Sequence, residues 1–394
     1  TAKITAAGLA MKGMVSSYGE VASAQGELQS LGVGAEGIDK VTKAAREFSQ
    51  QWSGTTQEQF ITASYDIKSG IASLSDEAVG QFTKIAALTA GATKASTGQM
   101  TALMASGYNI YRDQFNQFAQ DNIKGWESMS ASERDIRFGE YFSAGIAASV
   151  QAFQTDGAKL SEAIKSLGAA ATSSNVPLSE QLSVLGQLQM TMGGSEAATK
   201  YKAFLRSATS ANDKLGMSFI DANDQLRSMP EILEQLRDRY GETLSDIEKA
   251  ELKDAFGTDE AVDMITLLYP KLDQLKGNMT NIHQALNGGL ALTMKMAGAI
   301  LNGPNESLTL FEQRLSGLVI VLGKAIAPAV QFVAETFGTL LVWITNLLEA
   351  FPMLRGVIGT VIVSLTALKA AILVTKLSQI ALNFSIWCCH KVDI

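Results

Sequence analysis

Apolar residues over the first three hundred positions recur every three or four, the spacing that lays a stripe along one face of a helix. Leu178, Leu182, Leu185, Leu188 and Met192 form one such stripe in a segment that opens after Pro177. Ile232, Leu233, Leu236 and Tyr240 form another after Pro230. Proline suits the first turn of a helix, because its missing N–H has no intrahelical partner to lose there. Gly193-Gly194 and Gly257 follow such stretches where a left-handed C-cap falls. Ser or Thr with Glu three residues later satisfies two backbone N–H groups that the first helical turn leaves free. This pattern occurs at Thr55/Glu58, Ser130/Glu133, Ser228/Glu231 and Ser245/Glu248. Strand-like alternation is confined to fragments such as Met217 to Ile220. The pattern predicts an all-α protein with a multi-helix core, helices of ordinary length and short turns. Leu182, Leu185 and Leu233 are its expected core-packing positions.

A different texture begins beyond Asn302-Gly303-Pro304-Asn305, a turn-forming cluster that few helices cross. Leu318 to Val333 is nearly all apolar, broken by Lys324 and Pro328. Phe337 to Leu348 follows, and then Val357 to Val374 with Lys369 as its one charge. A membrane span takes about 20 apolar residues. A central lysine adds about 2.5–3.5 kcal/mol to insertion. Each run therefore sits at or below the threshold. The favoured reading is a C-terminal hydrophobic helical hairpin or bundle segment, buried in an assembly at rest; constitutive membrane insertion is the rival. Lys324 and Lys369 are expected at a membrane passage or a bundle axis, beside polar partners or water.

The expected organisation is an N-terminal helical leader at 1–36, a core helical region at 37–282, a linker at 283–310 and hydrophobic C-terminal helices at 311–394. Within the core, 108–138 is rich in aromatics (Tyr108, Tyr111, Phe115, Phe118, Trp126) and reads as an insertion or extra helical hairpin whose rings pack on neighbouring helices.

Composition narrows the function. Of 394 residues 46% are hydrophobic and 18% charged, against a usual charged share of roughly 25%. That excludes general disorder. The net charge of −7 gives no basic surface for nucleic acid. Residues 311–394 carry six Lys/Arg against four Asp/Glu, net +2, which leaves −9 on 1–310. Six prolines, the first at Pro177, fit long helices. The two cysteines are adjacent, Cys388 and Cys389, which excludes spaced zinc patterns and favours free thiols over a strained adjacent disulfide. His283 lies in a polar segment and reads as a surface histidine; His390 is the other one. No phosphate loop, dinucleotide fingerprint, nucleophile elbow or zincin motif occurs. A pair of carboxylates brought together by folding is the one enzymatic arrangement left open. The chain reads as structural, with no cofactor or metal expected. With no initiating Met and no signal peptide, it reads as a segment of a longer reading frame.

Residues 178–276 resemble the core region of bacteriophage tail tape measure proteins. Leu178-Ser179-Glu180-Gln181-Leu182 through Leu188, Gly193-Gly194-Ser195-Glu196-Ala197-Ala198 and Phe204-Leu205 are similar to that family's helix, glycine turn and second helix. Leu215-Gly216-Met217-Ser218-Phe219-Ile220-Asp221 and Met229-Pro230-Glu231-Ile232-Leu233 resemble the segment and helix start that follow, and Ala255-Phe256-Gly257 the next turn. More loosely, 37–107 and 139–176 resemble the preceding helices. The 108–138 stretch is additional, and neither the long coiled-coil heptads of a length ruler nor a cell-wall hydrolase motif is found.

The resemblance implies a lumenal protein of the virion tail. Several copies, expected as a trimer, would lie along the tube, template assembly of the tail tube protein and set tail length. Implied partners are the baseplate hub and a tail assembly chaperone in the host cytoplasm. At infection the copies would leave ahead of the viral DNA, which only follows in the tube, and help it cross the host inner membrane. A continuous helix of 394 residues at 1.5 Å per residue would span about 590 Å. A helical pore-forming toxin is the rival from another class, and a lumenal peptidoglycan hydrolase a second.

Overall fold

The computed structural model describes residues 2–350. They form α1 (Ala2–Ser30), α2 (Ala35–Gln51), α3 (Gln57–Gly70), α4 (Asp76–Thr93), α5 (Thr97–Asn122), α6 (Ala131–Phe153), α7 (Gly157–Leu167), α8 (Ala170–Ser173), α9 (Leu178–Gln189), α10 (Gly194–Leu215), α11 (Met229–Tyr240), α12 (Asp246–Phe256), α13 (Asp259–Leu268), α14 (Leu272–Asn287), α15 (Ala291–Leu301) and α16 (Ser307–Ala350). There is no strand among the described residues, and the fold is all-α. The alternating Met217 to Ile220 fragment contributes one isolated antiparallel bridge, Ile220 to Leu226, in the loop between α10 and α11. Two compact units result. One is a body, Ala24–Gln313; the other joins the residues up to Ser23 with the chain from Arg314 onward.

Helix starts are set locally. The boxes at Ser130/Glu133, Ser228/Glu231 and Ser245/Glu248 form as the spacing predicts. The expected Thr55/Glu58 box lies one residue on, at Thr56/Gln59, and a further box forms at Ser96/Gln99. Thr55 is diverted by a tertiary contact, its hydroxyl lying 3.0 Å from that of Thr97. Glutamine fills the third position because its amide oxygen accepts from the cap N–H as a carboxylate does.

Two helices are buried on nearly every side. In α9, every residue from Leu178 to Leu188 is buried, with α6, α7, α10, α13 and α14 around it. Leu182 and Leu185 have no exposure, nor does Leu233 in α11. Met192 falls outside the stripe, since α9 ends at Gln189. The second inner helix is α4, enclosed by α2, α3, α5, α6 and α15.

The rings of the aromatic stretch 108–138 pack on neighbouring helices. The stretch comprises the second half of α5, a 3-10 turn at Trp126–Ser128 and the start of α6. Its rings weld α4, α5 and α6 together. Phe82 stacks on Phe138, Tyr108 meets Phe138 edge-on at 5.2 Å, and Phe115 meets Trp126 edge-on at 5.5 Å. The Tyr108 hydroxyl donates to the buried Asp135 at 2.5 Å. Gly107 lets the Phe142 ring onto α5, because a Cβ there would stand 2.5 Å from ring carbons.

The expected boundaries at either end of the core also shift. Residues 283–310 are not a linker: they hold the end of α14, all of α15 and the first turn of α16. Thr293, Ala297 and Leu301 are buried, and a hydroxyl chain runs Thr89–Ser143–Thr293 at 2.7 and 2.8 Å. The leader, too, reaches into the body, with Ala24, Leu28 and Val33 buried. Small residues and methionines hide this packing from a polarity pattern, because α15 is apolar nearly all round.

Candidate interaction surface

Along the buried helix α9 runs a polar line, Glu180, Gln181, Ser183 and Gln187, all buried. Gln181 accepts from the Tyr111 hydroxyl at 3.1 Å and donates to the Val176 carbonyl at 2.7 Å. Glu180 accepts from the Met229 N–H at 2.7 Å, so a carboxyl on α9 caps the first residue of α11. Burial pushes the Glu180 carboxyl up to about 7, against a smaller pull downward from the Met229 N–H. Tyr201 is fully buried and its hydroxyl has no hydrogen-bond partner; burial and the nearby Glu180 push it well above the usual phenol range. These groups tie helices together inside the body, and Tyr201 leaves one donor over.

The body carries a 440 Å³ cavity whose walls include Thr62, Ala87, Ala90, Gly91, Thr97 and Leu301, together with the carboxylates Glu58 and Asp66. Burial raises the Asp66 carboxyl, and Glu58 accepts from the Thr62 hydroxyl at 3.3 Å. No His or Cys is among its walls. Among the described residues no group of three or more His, Cys, Asp or Glu is placed to hold a metal. His283 is exposed and meets the Phe118 ring edge-on at 6.3 Å.

The molecule's most unusual surface is on α16. The segment Ser307–Thr336 is long and apolar enough to cross a membrane, and 17% of its most apolar window is buried. A heptad stripe runs along it. Every seventh residue from Leu308 (Leu315, Leu322, Ala329, Thr336, Trp343) and every seventh from Phe311 (Leu318, Ala325, Phe332, Thr339) falls on one stripe. That alternation of three and four is the a/d pattern of a coiled coil. The stripe faces outward: Leu308, Phe311, Phe332 and Trp343 are 68%, 56%, 71% and 60% exposed. The opposite side is the buried one and is made of Gln313, Gly317, Gly323 and Ala327. Gly323 lies against Met14 and Tyr18 of α1. An ordinary surface helix does the reverse, turning its apolar face inward.

A heptad stripe is present, five repeats long; it is hidden in the sequence because apolar residues flank it on both sides. Lys324, expected at a membrane passage or a bundle axis, is exposed at the third position of its repeat, well round the helix from the stripe at about 100° per residue. Lys369, Cys388, Cys389 and His390 lie outside the described residues, as does the apolar run from Val357 to Val374.

Comparison with curated proteins and with solved structures gives no match. A family of phage-related minor tail proteins does match, over residues 42–257. The matched region runs from α2 to the Gly257 cap of α12, through the aromatic core and the whole of α9, and makes up more than half of the sequence. The chain belongs to the phage-related minor tail proteins, structural components of the virion tail.

Proposed function

We propose that within the tail this chain acts as a tape measure protein. The observation that carries the reading is the outward heptad stripe of α16. A five-repeat stripe of Leu, Phe, Ala, Thr and Trp, most of it exposed, needs a cover, since apolar patches of that extent draw partners or aggregate. Another copy of the same stripe is the cover whose period matches. Copies inside a tail must share its axis, so a threefold parallel bundle along the lumen is the arrangement proposed. Lys324 then points away from the seam, toward the surrounding tail components. The tail tube protein polymerises around the bundle, with the baseplate hub at one end and an assembly chaperone in the host cytoplasm beforehand.

On release ahead of the DNA, the same helices meet the host inner membrane, where their backbone groups are already satisfied within each helix. No catalytic role, cofactor or metal is part of the proposal. The membrane-inserting, toxin-like alternative is favoured by one observation, the spanning length of Ser307–Thr336.

Tail length tests the reading. Deleting residues 315–328 removes 14 positions from α16, and at 1.5 Å per residue the mean tail should shorten by about 21 Å. Micrographs showing tails of unchanged mean length would remove the ruler role and leave a tail component only.

A further inference from the structure

The root of α16 is held to the body mainly by hydrogen bonds between side chains and backbone groups. Ser53, 1% exposed, places its hydroxyl 2.8 Å from the Leu301 carbonyl oxygen and 2.9 Å from a Glu306 carboxylate oxygen. It has one proton and serves one of them at a time. Gln313, 8% exposed, grips the same loop with both ends of its amide. Its oxygen accepts from the Gly54 N–H at 3.1 Å, and its nitrogen donates to the Thr55 carbonyl at 2.7 Å. The Asn302 amide, turned so that its nitrogen faces the acceptors around it, donates to the Gln51 carbonyl at 2.8 Å. One apolar group joins them. Leu301 lies on Gly91 of α4, where any Cβ would collide with its methyl carbons, and it borders the 440 Å³ cavity.

Two observations separate this arrangement from ordinary core packing. The body ends at Gln313, and from Arg314 the same helix belongs to the other compact unit. The grip consists of hydrogen bonds to backbone groups that water can replace, plus one leucine beside an open cavity. The aromatic cluster and α9 are closed chiefly by interlocked rings and leucines, which water does not replace.

We propose that the loop 51–55 is a clasp that holds residues 301–313 and releases them as one piece while the body stays folded. Opening exchanges the Gln313 and Asn302 partners for water and lifts Leu301 off Gly91. The joint is the turn Asn302-Gly303-Pro304, where Gly303 is extended and no α-helical ladder crosses. This inference does not rest on the tape measure reading, and holds for any tail role of the chain.

Amide hydrogen exchange on the full chain tests it, comparing the natural sequence with Gln313→Leu and Gly91→Leu. The first removes the polar grip; the second fills the place of Leu301. Either substitution should speed exchange across 301–313 at least tenfold while protection in α9 and α10 stays unchanged. Gln313→Glu, which keeps the acceptor for Gly54 and loses the donor to Thr55, should fall between. Unchanged exchange in 301–313 for both leucine variants would overturn the clasp. So would a parallel rise in 301–313 and α9, which would make the region one cooperative piece with the body. Failure of both leucine variants to fold would overturn it too, because a clasp presupposes a body that stands without it.

Discussion

Glu180 places a carboxyl among buried side chains and offers it to one backbone N–H, that of Met229. Burial raises its pKa from 4.5 to about 7, so the folded state holds the proton more tightly than the unfolded chain does. The sign follows from linkage. The stabilising contribution is complete below about pH 4.5 and is lost as pH rises through about 7, where folding must bury a charge. A shift of this size is worth roughly 3 kcal/mol. Glu180→Gln keeps an oxygen for the Met229 N–H and has nothing to ionise. In urea melts it should gain on the natural protein by about that amount between pH 5 and pH 8; an equal loss at both pH values would show that the charge is well tolerated.

Local chemistry of this grain was legible beforehand only in part. The boxes at Ser130, Ser228 and Ser245 depend on neighbours three residues away. The choice between Thr55 and Thr56 depends on Thr97 in another helix. Nothing in the sequence marks Glu180 as buried, since the same Glu three residues into a helix is ordinarily a solvated one.

Among the elements, α9 and α16 make opposite demands on apolar side chains. Leu185 fills the interior, and Leu318 faces out. Truncation of Leu185 to alanine should cost roughly 2–5 kcal/mol through lost contacts and a residual cavity, and leave the mass of the assembled particle alone. Leu318→Asp should do the reverse, reducing the proposed trimer to monomers in sedimentation equilibrium while the thermal midpoint of the body holds. A chain that stays trimeric with Leu318→Asp would place the seam elsewhere.

The leucines of α9 could be found by period because that helix begins just after a proline and repeats its apolar positions every three or four residues. Helix α15 could not, because Thr293 and Ala297 look like solvent-tolerant residues until the Ser143 hydroxyl and α4 are beside them. Likewise the rings from Tyr108 to Phe138 look additional in a linear reading and turn out to be the material that joins three helices. On α16 the period itself was obscured, because the apolar residues Val319, Ile320 and Val321 flank the stripe.

For the whole molecule, charge and apolarity are divided along the chain. Residues 1–310 carry −9 and the rest +2, with the apolar runs concentrated in the latter. A tail component of this make-up should be inert toward lipid until its stripes are uncovered. Freshly folded full-length protein should therefore leave dye-filled vesicles of anionic phospholipid intact, whereas a pore-forming toxin would empty them at once; prompt leakage would favour the membrane-inserting alternative. The sequence carried the fold class and the likeness to phage tail proteins, because both rest on local periods and turns. The outward stripe needed the assembled helix.

One consequence of the α16 geometry is genetic. Each residue added to or removed from a helix turns everything beyond it by about 100°. The stripe and the buried glycine side must both keep their bearings, so most small insertions between Leu308 and Trp343 would twist one away from its surface. Changes of seven nearly restore the bearing, because two turns take about 7.2 residues. Viable length variants of this gene segment should therefore come in steps of seven codons, a quantised ladder instead of a continuum.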